Sequence, residues 1–184
     1  MKVEKTIFKN TLIIKPEIFT DHRGKYVETY NWRDYNKIFF DLKMIPPSFV
    51  QDDFSYSHWN VLRGMHGDDS TWELVSCLRG QFQLVIVDCD KNSPTYKQHQ
   101  SFILDDVENV QVLIPPLFAN GHYCISDCCI FNYKQSTYYQ HGSQFTVAWN
   151  DSSLNIPWKC NNPILSERDS KGPFLILYDN EERQ

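Results

Sequence analysis

The chain has 184 residues, a net charge of −5, 41% hydrophobic and 15% aromatic residues. That length holds one ordinary domain with a sizeable core, taken as 1–184, and is too short for two. The absence of any basic run argues against nucleic acid as a partner, and no stretch of about 18 consecutive apolar residues predicts a membrane span.

The opening "MKVEKTIFKN" carries no apolar run of signal-peptide length, which predicts a cytoplasmic protein with reduced thiols. Short β-type runs then alternate with turn residues. "KNTLIIKPEIF" and "KYVETY" flank the polar turn "TDHRG". The segment "NWRDYNKIFF" places Trp32, Tyr35, Ile38 and Phe39 on one side at helical spacing, with Asn31 as N-cap. It is the one clear helix and is expected to cover an open side of the β structure. "PSFVQDDFSYS" and "VLRGMH" read as strands. "WELVSCLRG" and "QFQLVIVDCD" read as a hairpin around Gly80, and the unbroken apolar run "QLVIV" predicts a strand buried on both faces. "KQHQSFILD", "NVQVLIPP", "HYCIS", "CCIFNYKQS" and "QFTVAWND" continue the series at a spacing typical of a sandwich or barrel. The tail from "NPILSERDSKGPF" is turn-rich, with a short helix expected near residues 166–169. The six cysteines, at positions 77, 89, 124, 128, 129 and 160, contain no C-x-x-C pair. Adjacent Cys128 and Cys129 point to opposite strand faces, poor geometry for a shared metal, so all six read as fillers of core and surface.

Three residues draw chemical attention. His66, in "NVLRGMHGDD", can be a packed polar residue, a metal ligand or a proton carrier. A metal site needs three or four ligands. Asp68, Asp69 and Glu73 are the nearest candidates, no H-x-H pair is present, and His122 could approach only through the fold. Imidazole titrates near pH 6.5 in its unperturbed state, which suits a general base. Such a base needs an orienting acceptor. Asp169, in "LSERD", is the nominee, although sequence alone does not separate it from the other carboxylates, and it reads equally as a solvated turn residue. Tyr133, in "FNYKQSTYY", is either a core tyrosine with its hydroxyl at the rim or an acid. Tyr138 and Tyr139 make this segment suitable for stacking on a planar ring, and Lys134 points away from Tyr133 on a regular strand.

Eight segments, "IFTDHRGKYVETY", "FVQDDFSYS", "NVLRGMH", "DCDKNSPTY", "IPPLFANGHY", "FNYKQSTYY", "VAWNDSSLNIPW" and "PILSERD", together resemble the dTDP-4-dehydrorhamnose 3,5-epimerase family over about residues 8–170. The resemblance implies an all-β, cupin-type jelly-roll β-barrel with a short helix and a C-terminal helical and turn wrap. It also implies a homodimer that uses no metal and no organic cofactor. By the same resemblance His66 is the catalytic base, Asp169 its orienting partner and Tyr133 the opposing acid. Arg23, Glu28, Gln51 and Arg63 fall where the family holds nucleotide, phosphates and sugar. Arg168 occupies a phosphate-contacting position, and Tyr139 the position of an aromatic lining the substrate site. The chemistry needs these residue types. A ketone at sugar carbon 4 acidifies the hydrogens on carbons 3 and 5. A base removes one, and an acid returns a proton to the other face. The enolate oxygen needs donors or positive charge, and arginine forks suit a diphosphate.

The chain also departs from the family pattern. "RGLHYQ" reads "RGMHGDD", a lysine before "LV" is Glu73, and the histidine of "FAHG" is Asn120, an amide that can donate to an enolate oxygen but cannot carry a proton. "HGD", "NGHY" and "LSERD" together resemble a branch that acts on GDP-linked 4-keto heptoses in bacterial capsule synthesis. The expected function is therefore cofactor-independent epimerisation of a GDP-4-keto-heptose at carbon 3, with carbon 5 as the second centre. The dTDP-hexose enzyme is the runner-up, a sugar ketoisomerase the third reading, and a non-catalytic sugar-nucleotide-binding cupin or a metal-dependent cupin enzyme the readings from other classes.

Overall fold

The computed structural model describes residues 1–45 and 47–175, so the last nine residues of the expected domain lie outside the described residues. In chain order the elements are β1 (Lys2–Lys5), β2 (Leu12–Lys15), β3 (Ile18–Asp21), β4 (Gly24–Val27), α1 (Trp32–Asp41), β5 (Gln51–His58), β6 (Leu62–Gly67), β7 (Glu73–Arg79), β8 (Gln81–Asp88), β9 (His99–Asp105), β10 (Gln111–Ile114), β11 (Phe118–Cys124), β12 (Cys128–Gln135), β13 (Phe145–Thr146) and α2 (Glu167–Ser170).

The strands form two open antiparallel sheets and a separate β3–β4 hairpin. One sheet runs β1-β2-β10-β7-β12-β5 and the other β13-β6-β11-β8-β9. This corrects the expectation of a closed jelly-roll barrel. β1 and β5 end the first sheet, β13 and β9 end the second, and among the described residues no strand pair joins them. Alternating apolar residues and regular turns are common to stacked sheets and barrels; only edge pairing separates the two. The Gly80 hairpin is corrected for the same reason. β7 and β8 follow one another but lie in different sheets, so Gly80, at φ +75°, turns a corner between layers. A Cβ there would sit 2.0 Å from the Cys128 carbonyl oxygen, which leaves glycine as the residue that fits.

The space between the sheets is filled from both sides, by Val75, Cys77 and Phe131 of one and Phe82, Leu84 and Ile86 of the other. Alternate residues of β8 face outward, where Val85 and Val87 pack under Leu154, Ile156 and Trp158 of the C-terminal segment. That two-sided cover explains the unbroken apolar run of β8, and each such side chain contributes about 1.5–3 kcal/mol of burial. Helix α1 covers the outer face of the other sheet. Asn31 caps it by accepting from the Arg33 and Asp34 amides, and Tyr35 and Phe39 are buried against Leu12, Ile14, Leu74 and Leu113. Trp32 differs from the helical-spacing expectation: it is 63% exposed, while Tyr35 and Phe39 are buried. β1 escaped the sequence reading because "KVEK" carries one apolar residue in four.

Candidate active site

A cleft of about 340 Å³ opens between the two sheets. His66 reaches it from β6 and Tyr133 from β12, strands that belong to opposite sheets. Two glycines flank His66 for steric reasons. Gly64 has φ +112°, and a Cβ there would lie 2.7 Å from both the Asn120 carbonyl oxygen and the Gly121 Cα. At Gly67 a Cβ would lie 2.2 Å from the Phe118 carbonyl oxygen. β6 and β11 therefore approach too closely for side chains on either side of the imidazole.

His66 Nε2 lies 2.6 Å from Asp169 Oδ1. Asp169 sits in α2, where the Ser166 hydroxyl accepts from its amide, and it is only 4% exposed. Burial opposes ionisation of this carboxyl, but hydrogen bonds from His66, Ser166 and the Gly64 backbone hold its pKa below the ordinary value. An ionised carboxylate only accepts, so Nε2 carries the hydrogen and Nδ1 the free lone pair. Across the cleft, burial, with the charges of Asp53, Glu73 and Tyr139, pushes the Tyr133 phenol up to about 12. It therefore stays protonated at neutral pH and is available as a donor.

The remaining expected residues divide by position. Arg63, Asn120 and Tyr139 line the same cleft. Arg63 donates to the Ser57 hydroxyl and the Tyr56 carbonyl, which leaves further N–H groups of its fork uncommitted by those bonds. Gln51 adjoins the cleft, because its Oε1 accepts from the Tyr139 amide at 2.9 Å. Arg168 projects from α2 to Thr146 and to Gln144, which is itself a lining residue. Arg23 and Glu28 are not brought together with these. Both are exposed. Arg23 pairs with Asp21 beside a hollow of about 420 Å³ at the β3–β4 hairpin, and Glu28 lines a further one near α1.

Ser55, His122, Phe131 and Gln144 also line the cleft and were not singled out as site residues. Period-two counting finds two of them: Phe131 lies two residues before Tyr133, and His122 two after Asn120. His122 stacks on Phe131 with ring centroids 4.2 Å apart. Burial, then the Arg63 charge, drives its pKa down to about 3, so it is neutral. Asn120 Nδ2 donates to Glu73 Oε2 at 2.7 Å, a bond that crosses from one sheet to the other. Among the described residues no group of three or more His, Cys, Asp or Glu side chains is arranged to hold a metal ion, and all six cysteines are free thiols. No helix among them is long and apolar enough to cross a membrane.

The arrangement can take a proton on one wall and give one from the other. The family model described as dTDP-4-dehydrorhamnose 3,5-epimerase matches residues 5–176. The chain is 37% identical over 179 residues to the dTDP-4-dehydrorhamnose 3,5-epimerase of Salmonella typhimurium, covering 95% of this chain and 96% of that one. It is 31% identical to the dTDP-4-dehydrorhamnose 3-epimerase of Streptomyces niveus, over 88% of this chain and 78% of that one. Among solved structures, the dTDP-6-deoxy-D-glucose-3,5-epimerase of Legionella pneumophila, in complex with dTDP-4-keto-L-rhamnose, superposes with a TM-score of 0.90 at 34% identity, covering 98% and 95% of the two chains.

Proposed function

Because the chain belongs to the dTDP-4-dehydrorhamnose 3,5-epimerase family, we propose that it inverts carbons 3 and 5 of a dTDP-linked 4-keto-6-deoxyhexose. Membership makes it a carbohydrate epimerase of nucleotide-linked sugars; the particular sugar, the number of carbons inverted and the residue roles are the proposal. The observation that carries it is one cleft with the His66–Asp169 pair on one wall and Tyr133 on the other.

In this reading Nδ1 of His66 removes the hydrogen from carbon 3 or 5, and the C–H electron pair moves toward the carbon 4 oxygen. Asp169 fixes the tautomer and stabilises the imidazolium that forms. Tyr133 returns a proton from the opposite face. After product leaves, exchange with water restores the phenol and the neutral imidazole. Arg63 and Arg168 contact the diphosphate, and Tyr139 and Gln51 border the sugar and base. Arg23 and Glu28 belong to this set by resemblance, yet Arg23 lies in the turn of the β3–β4 hairpin, which exposes Phe19 and Tyr26, and Glu28 directly follows β4. A homodimer resolves this: the hairpin of one protomer serves the cleft of its partner. Mixing Arg23→Ala with His66→Asn chains then restores part of the turnover that each variant lacks alone, and no restoration counts against the shared cleft.

A GDP-linked 4-keto heptose is the second reading. It is supported by two departures from the family pattern, Glu73 and Asn120, which pair with each other on the cleft wall. It ranks below the dTDP reading because each relative described above is named for a dTDP sugar. Turnover of dTDP-4-keto-6-deoxyglucose and of a GDP-4-keto-6-deoxyheptose, measured side by side, decides between them. The proposal expects the larger kcat/KM on the dTDP substrate; a preference for GDP reverses the order, and no turnover of either leaves a binding protein. Thermal shifts with dTDP and GDP check the base independently. Ligand at about 100 times Kd adds about 2.7 kcal/mol of stability.

A further inference from the structure

Resting on that reading of the cleft, we infer that Glu73 is a further catalytic residue: a neutral carboxylic acid, anchored by Asn120, that donates a hydrogen bond to the sugar's carbon 4 oxygen as the enolate forms. The placement comes from register. Glu73 opens β7 opposite Gln135 of β12, two positions from the Val75–Tyr133 pair, so its side chain shares the inward face of Tyr133. Asn120 of β11 lies opposite His66 of β6. The Asn120–Glu73 hydrogen bond thus ties the carboxyl to the strand that pairs with β6 at His66, in the cleft that His66 and Tyr133 both line.

The bond also sets which oxygen is the donor. Oε2 accepts from the Asn120 amide, so a proton on this carboxyl resides on Oε1, and the O–H is free to point at a ligand. Among the described residues no cation pairs with Glu73. The groups around it make the anion costly. Asp68, after β6, adds a negative charge nearby. Tyr133 on β12 and Tyr139 beyond it are phenols, His122 on β11 is neutral, and Asp169 of α2 is committed to His66 on β6. Arg63, among the described residues the one permanent cation lining the cleft, bonds to Ser57 and Tyr56 and forms no ion pair with Glu73. β10 contributes only Ile114 opposite Glu73. Burial first, opposed by the Asn120 hydrogen bond and helped by Asp68, raises the carboxyl to about 7. A substrate that expels water from the cleft favours the neutral acid further.

No proton is transferred by Glu73. The hydrogen leaves carbon for His66, the electron pair spreads onto the carbon 4 oxygen, and the Glu73 O–H stabilises that oxygen until Tyr133 protonates the carbon. A donor of this kind is worth about 10² to 10³ in rate. The sign of the pH effect follows: the acid works below its pKa, and the carboxylate above it repels the enolate, so kcat/KM falls as pH rises through about 7 and kcat falls at a higher pH, where the bound complex ionises.

The test is the pH profile of kcat/KM and kcat, and of deuterium uptake from heavy water, for wild type, Glu73→Gln and Glu73→Ala on the preferred 4-keto sugar nucleotide. Glutamine mimics the neutral acid, since its carbonyl can accept from Asn120 while its amide donates. Glu73→Gln should stay within about fivefold of wild type near pH 6 and lose the alkaline fall. Glu73→Ala should lose about 10² in kcat with KM within about threefold. A glutamine variant that keeps the alkaline fall overturns the inference, as does an alanine variant with wild-type kcat. Wild type that takes up no deuterium from any dTDP- or GDP-linked 4-keto sugar sinks the epimerase reading and Glu73's role with it; uptake by wild type with an unchanged glutamine profile sinks Glu73's role alone.

Discussion

Asp169→Asn separates the orienting carboxylate from the base it serves. The wild-type contact is short, 2.6 Å, and involves a carboxylate that is only 4% exposed. A charge-assisted hydrogen bond of this kind is worth about 1.5–3 kcal/mol. At about 1.4 kcal/mol per factor of ten, its loss slows the reaction roughly 10- to 150-fold. A second effect adds to it. If the new amide donates to Nε2, the imidazole hydrogen moves to Nδ1, and the lone pair facing the substrate is lost. Inverted tautomers of this type cost about 10⁴ in rate. The expected fall in kcat is therefore between about 10² and 10⁴, with KM little changed, measured by turnover and by deuterium uptake at carbons 3 and 5. Stability gives an independent readout. The carboxyl's pKa is depressed in the folded state, so its contribution is present above the unfolded value of about 3.9 and is lost as pH falls through the folded value. The variant should melt below wild type at neutral pH, and the two should converge in acid. An Asp169→Asn enzyme within threefold of wild-type kcat would refute the dyad.

Tyr133→Phe removes the phenol and leaves the base. It should keep part of the deuterium uptake and lose most of the inverted product, seen by proton NMR of the sugar ring; full inversion by the variant would move the acid elsewhere. Gly64→Ala should cost about 1–3 kcal/mol, because alanine is strained at φ +112° and its Cβ meets the β11 backbone at 2.7 Å. At roughly 2–4 °C per kcal/mol the melting temperature should drop by about 2–12 °C; an unchanged melting curve would mean that β6 and β11 do not approach so closely.

Most strands were legible in the sequence because β-branched and aromatic runs end at turn residues, and "QLVIV" announced a strand covered on both faces. The closure of the sheets was not. Period two records which side chains face inward, not which strand edges pair, so a barrel and two stacked sheets read alike. Gly80 shows the limit most plainly. A glycine between two apolar runs is the mark of a hairpin and equally of a corner between layers, and only the pairing partners of β7 and β8 separate the two. Within the site, His66 stood out through its glycines and its place in a recognisable motif. Asp169, 103 positions further along the chain, became its partner only through the fold. The Glu73–Asn120 bond was invisible for the same reason: each residue read singly as a departure, and the two meet across sheets. Arg23 and Glu28 carry the opposite lesson, since resemblance groups them with the cleft while this chain's own hairpin holds them outside it.

The central claim is that the imidazole of His66 moves a proton on and off a sugar carbon beside a ketone. Incubating wild type and His66→Asn with dTDP-4-keto-6-deoxyglucose in heavy water, and following carbons 3 and 5 by NMR, addresses it directly. Deuterium should enter at those carbons with wild type and at neither with the variant. Uptake by His66→Asn at the wild-type rate would contradict the account.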